Sequence, residues 1–149
     1  MVRKARLSDA KAIHKLINYY AKKNIMLPRA LNDICEAIRD FWVYDDGGIL
    51  GCAALRVYSD ELAEIRSLAV DKSSIQRGIG SELLGGCVKE AARLGIDKVF
   101  ALTVVPGFFE KSGFRAVDKS KLPQKIWTDC AVCSKLDKCD EIAYITRLK

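Results

Sequence analysis

Two short stretches carry residue types that can do chemistry. One is "IQRGIGSELL", in which Gln76, Arg77, Gly78, Ile79, Gly80 and Ser81 stand between an apolar run and the start of an amphipathic helix. The first turn of a helix presents backbone N–H groups without helical acceptors at the positive end of the helix dipole, a setting that suits an anion such as phosphate. Glycine at 78 and 80 removes the side chains that would hold a ligand away from this backbone, and Arg77 adds positive charge. A turn that serves helix packing alone is the other reading of so short a pattern. A dinucleotide-binding fingerprint does not fit: it needs a small third residue where this chain has Leu83, and it belongs to the first strand–helix unit of a chain.

The second stretch is "AEIRSLAV". In strict alternation Glu64, Arg66 and Leu68 share one face of a strand while Ile65, Ser67 and Ala69 share the other, unless a bulge reverses the order. Farther along, Cys130, Cys133 and Cys139 form a C-x2-C-x5-C array. Paired thiolates two residues apart can share a metal, but structural zinc takes four ligands and only His14 and carboxylates remain to complete a set. The array is therefore read as reduced cysteines packing the tail, with no metal, against the alternatives of a metal or redox site or disulfides.

The elements that must position these residues follow from periodicity. Val2–Arg6 reads as a short strand, and Ser8 as the N-cap of a helix with Ile13, Leu16, Ile17 and Tyr20 on one face. A second helix after Pro28 carries Leu31, Ile34, Ile38 and Phe41. "FWVYDDGGILGCAALRVY" is a hairpin turning at Asp45–Gly48. Leu62–Val70 is a strand leading into the glycine turn, and Ile79, Leu83, Leu84, Cys87, Val88, Ala91 and Ala92 form the buried stripe of a long helix ending near Gly95. Lys98–Val105 is a strand, Pro106–Ser112 a short helix and Glu141–Leu148 a last strand. With 149 residues, half of them hydrophobic, one core and a single domain over residues 1–149 are expected.

The net charge of +6, from 25 basic and 19 acidic residues, favours an anionic ligand over a cationic one, or else simply solvates the surface. Charge spread along the chain, with no recognised binding module, argues against nucleic acid. No apolar run is long enough to cross a membrane, and "MVRKARLSDAKAI" has no apolar signal core, so no membrane partner and a cytoplasmic location are expected. Without an export signal, Cys35, Cys52 and Cys87 are expected to be reduced core residues.

The stretch "IRSLAVDKSSIQRGIGSELL" resembles the acetyl-CoA-binding segment of the GNAT acetyltransferase superfamily. The likeness extends over nearly the whole chain through "VRKARLSDAKAI", "GILGCAAL" and "FFEKSGFRAVD". It implies an α/β (α+β) fold with a mixed, mostly antiparallel sheet flanked by helices, and acetyl-CoA as co-substrate. The family motif opens with Gln or Arg three residues before its first glycine. Ile75 stands there, so side-chain help falls to Gln76 or Arg77 while amides from Gln76 to Ser81 hold the pyrophosphate. Within the superfamily, "IMLPRALNDICEAIRDFWV", "AEIRSLAV", "KVFALTVVPGFFEKSGF" and "VDKSKLPQKIW" resemble the acetyltransferase domain of bacterial N-acetylglutamate synthases, above all short stand-alone forms.

That likeness implies acetyl transfer to the α-amine of glutamate, the first committed step of arginine synthesis. Glu64 takes the place of the proton acceptor, acting directly or through water. Ser67, Leu68, Ala69 and Val70 supply backbone to the thioester and the pantetheine arm. Arg29 matches an arginine that these synthases use on the substrate carboxylate, and Arg66 is a second candidate from its place beside Glu64. Many family members have a tyrosine where this chain has Phe109, and a phenyl ring cannot protonate the leaving thiolate. Water or another group must do so, or the thiolate leaves as an anion. The expected partners are a small-molecule amino-acid substrate and, in one allowed assembly, a second copy of the chain in a homodimer. Acetylation of another small amine or of a protein N-terminus, and a non-catalytic acetyl-CoA sensor, are the rival readings.

Overall fold

The computed structural model describes residues 1–122 and 141–148. Strands β1 (Val2–Lys4), β2 (Phe41–Asp45), β3 (Ile49–Val57), β4 (Leu62–Val70), β5 (Lys98–Thr103), β6 (Arg115–Val117) and β7 (Ile142–Arg147) form one sheet in the order β1-β2-β3-β4-β5-β7-β6. Every pairing is antiparallel except β4 with β5. Helices α1 (Ala10–Ala21) and α2 (Leu31–Glu36) cover one face, and α3 (Ile79–Leu94) the other. A short α4 (Pro106–Lys111) leads into β6.

Alternation along the strands builds the two cores. Ala53, Leu55, Ala63 and Ile65 meet the α3 stripe of Ile79, Leu83, Leu84, Cys87 and Ala91, all buried. On the opposite face Val43, Cys52, Ala54 and Ala69 meet Ile13, Leu16 and Ile17 of α1. Gly51 sets the spacing of α3 against β3: a methyl there would come within 2.9 Å of both Ile79 and Leu83. Gly86, which weakens the helical pattern in sequence, sits where a methyl would press on Val2 and Trp42 at 3.3 and 3.4 Å, so its absence lets α3 close on β1 and β2.

Two sequence expectations give way. Ser8 is not an N-cap; it lies in a 3-10 turn (Leu7–Asp9) that precedes α1. Asp9 occupies the N-cap position of α1, but its carboxylate makes no bond to that helix; it reaches back across the 3-10 turn to accept the Arg6 N–H at 2.8 Å and a bidentate pair of hydrogen bonds from Arg3 at 2.8 and 3.1 Å. The Arg3 guanidinium holds the Asp9 carboxyl below its ordinary range. Phe41 does not continue the α2 stripe, because α2 stops at Glu36, a second 3-10 turn (Ile38–Asp40) follows, and Phe41 opens β2.

β4 carries the bulge on which its alternation depends. Arg66 pairs with Ala54 and Ala69 with Cys52, so Ala53 of β3 stands opposite two residues, Ser67 and Leu68. Ser67 absorbs the extra residue in the left-handed region, with φ of 53°. The faces therefore switch. Leu68 and Val70 join Ala63 and Ile65 on the α3 side, whereas Glu64 and Arg66 face the α2 side, unlike the plain alternation that grouped Leu68 with them.

Candidate active site

The parallel pair of strands opens into a cleft. β4 and β5 are joined from Leu62↔Lys98 to Glu64↔Phe100, and both then run on, to Val70 and Thr103, without pairing to each other. Their outer edges stay closed by β3 and β7. A bulge bends and twists its strand, which steers β4 away from β5 just past the last shared pair. Between the diverging strands lies a cleft of about 540 Å³. Leu68, Ala69 and Val70 line one wall, Leu102 and Thr103 the other, with Phe108 and Phe109 of α4 beside them. The Val70 carbonyl accepts a hydrogen bond from the Tyr20 hydroxyl, and the Ser67 carbonyl one from the Cys52 thiol at 3.4 Å. Burial pushes that thiol up to about 12, which keeps it a protonated donor.

The mouth of the cleft is the start of α3. Its first helical hydrogen bond runs from the Glu82 N–H to the Gly78 carbonyl at 3.1 Å, so the amides of Ile79, Gly80 and Ser81 precede the helical ladder. All three residues, with Gln76 and Gly78, line the cleft. The two glycines are required for different reasons. Gly78 has φ of 78° with open space around it, a conformational need, whereas at Gly80 a methyl would come within 3.2 Å of the Phe108 ring. Gly80 is thus small because of Phe108 as well as because of any ligand. Arg77 does not join the site: its guanidinium turns to Asp46 in the β2–β3 hairpin at 3.2 Å and is not part of the cleft wall.

Glu64 and Arg66 lie at the junction with a second cleft, of about 620 Å³, on the α2 side of the sheet. Arg29, Arg66 and Ser67 line both clefts, so the two communicate at the bulge. Glu64 and Arg66 have side chains only 12% and 11% exposed, and Arg66 Nε lies 3.8 Å from Glu64 Oε1. Residues not singled out from sequence complete this junction. The Tyr58 hydroxyl donates to Glu64 Oε1 at 2.8 Å, and Arg56 is the direct cross-strand partner of Glu64. The second cleft also takes in Arg39 and Asp40, whose carboxyl is raised above its ordinary value by burial. The register of the β3–β4 hairpin was the signal available for Arg56: one turn at Ser59–Glu61 places it beside Glu64.

Phe109 is buried, edge-on to Phe108 and Phe114 and stacked with Tyr144 at 6.2 Å. The nearest hydroxyl in this aromatic group, that of Tyr144, donates to Glu110 at 2.7 Å. Cys130, Cys133 and Cys139 lie outside the described residues.

The comparisons with known proteins agree with this geometry. The family described as "Acetyltransferase (GNAT) domain" matches residues 37–116, which include β4, its bulge, the glycine turn and α3. The chain belongs to the GNAT acetyltransferase family. This GNAT acetyltransferase is 45% identical, over 99% of its length and 96% of the relative's, to an uncharacterised N-acetyltransferase of Chlorobaculum tepidum. It is 34% identical, over 92% of its length and 79% of the relative's, to an amino-acid acetyltransferase of Mycobacterium tuberculosis. Among solved structures, the N-acetylglutamate synthase of Neisseria gonorrhoeae complexed with coenzyme A and N-acetyl-glutamate superposes over 100% of the chain with a TM-score of 0.89 at 28% identity. The present chain spans 35% of that longer one. The same GNAT fold is found in a Mycobacterium tuberculosis protein in complex with CoA, with TM-score 0.87, 31% identity and coverage of 100% and 99% of the two chains.

Proposed function

We propose that this acetyltransferase moves the acetyl group of acetyl-CoA to the α-amine of an amino acid, and that the amino acid is L-glutamate. The observation that supports this reading is the meeting of the two clefts at one bulge, where Glu64, Arg29 and Arg66 stand together. Acetyl-CoA lies in the first cleft, with its pyrophosphate on the amides of Gly78–Ser81 and its pantetheine arm along the unpaired edge of Leu68–Val70, as an added strand would lie. The amino acid enters from the second cleft, its carboxylates on the forked guanidinium groups of Arg29 and Arg66.

The attacking group must be a neutral amine. Glu64 takes a proton from the ammonium, directly or through water; the nitrogen then bonds to the thioester carbonyl carbon, the adduct's nitrogen gives up its second proton to solvent water, and the C–S bond breaks to release the CoA thiolate and leave the amide. Backbone N–H groups at the bulge stabilise the transient oxyanion. Phe109 supplies no proton, so the thiolate leaves as an anion or takes its proton from water.

An acceptor screen that follows CoA release tests the reading, with glutamate, glutamine, neutral amines and a peptide N-terminus as acceptors. Glutamate is expected to give the highest kcat/KM. Arg29→Ala is expected to lower that value by about 2 to 4 kcal/mol in transition-state terms, because a desolvated carboxylate loses its charged partner, with acetyl-CoA affinity unchanged. A parent enzyme that prefers a neutral amine, or an Arg29→Ala variant that handles glutamate normally, would reject glutamate and leave the broader acetyltransferase.

A further inference from the structure

Tyr58 is the residue at this junction that neither the family motif nor the substrate reading calls for. It is the first residue past β3, and its backbone N–H donates to the Leu62 carbonyl at 3.0 Å across the tight hairpin, which folds its ring back over β4. The ring is held by two contacts. One face stacks on Phe100 of β5, centroids 6.1 Å apart and planes 24° apart, and Phe100 is fully buried. The Arg56 guanidinium lies over the ring with its carbon 5.5 Å from the centroid. Phe100 is itself the β5 partner of Glu64, and Arg56 the β3 partner, so ring, clamp and carboxylate all stand on one face of the sheet at one level.

From this clamp the hydroxyl reaches Glu64 Oε1 at 2.8 Å, the same oxygen that Arg66 Nε approaches to 3.8 Å from the neighbouring position on β4. A phenol donating to one carboxylate oxygen fixes the rotation of the carboxyl group, and with it the direction in which the carboxylate can receive a proton. A glutamate carries three rotatable bonds, and one placed only by its backbone would sample several rotamers, most of them misaligned for proton transfer.

We propose that Tyr58 is a positioning residue for proton transfer: its clamped hydroxyl holds the Glu64 carboxylate in the orientation that accepts the acceptor's ammonium proton. The inference rests on the reading of Glu64 as the base. Tyr58 lines the second cleft, but its hydroxyl is directed to Glu64 Oε1; in this role it acts through Glu64, and its effect on turnover must vanish when Glu64 can no longer accept a proton.

Three variants test this. Glu64→Gln is expected to lower kcat by about a hundredfold or more with little change in acetyl-CoA affinity. Tyr58→Phe, which keeps the stacked ring and removes the hydroxyl alone, is expected to lower kcat by about tenfold while leaving the KM for acetyl-CoA and the melting temperature near those of the parent. In the Glu64→Gln background the Tyr58→Phe change is expected to have no further effect on kcat, the signature of two residues acting as one unit. A tenfold loss that persists in that background would overturn the positioning role, as would a Tyr58→Phe enzyme with parental kcat beside a disabled Glu64→Gln. A Glu64→Gln enzyme that keeps most of its turnover would instead overturn the base assignment itself, and the Tyr58 inference would fall with it.

Discussion

The two ends of β4 are alike in composition and opposite in use. From Leu62 to Glu64 the strand is hydrogen-bonded on both edges, to β3 and to β5, and Leu62 and Ala63 are buried. From Leu68 to Val70 it keeps its β3 partner but has the cleft on the other edge, although "LAV" is no less apolar than "LAE". What separates the ends is one extra residue in the left-handed conformation, Ser67. The cleft edge is thus made by withholding a strand partner, which on the proposed reading leaves for the ligand backbone groups that would otherwise join a ladder. The charged groups gather at the boundary, at Glu64 and Arg66, where closed sheet becomes open sheet.

Deleting Ser67 breaks this contrast most directly. The deletion restores one-to-one register between β3 and β4 while keeping Leu68, Ala69 and Val70 on the faces they already occupy, so the core is preserved and β4 straightens toward β5. Acetyl-CoA affinity measured by calorimetry is expected to fall by about a hundredfold or more in a protein that still unfolds cooperatively. Parental affinity would show that the bulge is not what holds the strands apart.

The next effect in size comes from the mouth of the cleft. Gly80→Val places branched methyl groups where a single one already comes within 3.2 Å of the Phe108 ring. That ring, which lines the cleft, must shift, and acetyl-CoA affinity is expected to drop by about tenfold, with a stability cost of about 1 to 3 kcal/mol read from denaturant unfolding. A variant that binds as tightly as the parent would take the Gly80–Phe108 contact out of the site.

The smallest effect is expected at the bulge residue itself. Ser67→Gly relieves the left-handed strain of a side chain but adds freedom to the unfolded chain, and the two largely cancel. Stability is expected within about 1 kcal/mol of the parent and acetyl transfer intact, because what Ser67 contributes is backbone geometry. A large loss of turnover in this variant would instead assign a chemical role to its hydroxyl.

Much of this architecture was legible in the sequence because it is periodic. Apolar runs bounded by turn residues mark β2 to β5, because strands in mid-sheet are buried on both faces, and the stripe from Ile79 to Ala91 marks α3, because a helix is buried on one. The site was legible where it depends on residue type or on family likeness: Glu64, Arg66, Arg29 and the glycine turn all line the joined clefts. It was not legible where it depends on pairing. Nothing in the composition of "YSDELAE" says that Tyr58 swings back onto Glu64, because that follows from hairpin register and from a parallel partner, Phe100, some 36 residues along the chain. Arg77 misled for a related reason. Its charge lies next to the glycine turn in sequence, but Asp46, brought near by the β2–β3 hairpin, claims the guanidinium. Ser8 looked like a cap by residue type, yet it falls inside the 3-10 turn, and Asp9 takes the N-cap position with its carboxylate turned back to Arg6 and Arg3.

The short parallel seam between β4 and β5 also has a mechanical meaning. Seven strands form one continuous sheet, yet β1–β4 and β5–β7 are two boards joined edge to edge only from Leu62↔Lys98 to Glu64↔Phe100. Beyond Glu64 no rung joins the boards, while Val99 and Ala101 keep the seam backed by the α3 core. A long, thin molecule laid between Leu68–Val70 and Leu102–Thr103, as the proposed reading has it, would bridge the two boards where they share no rung.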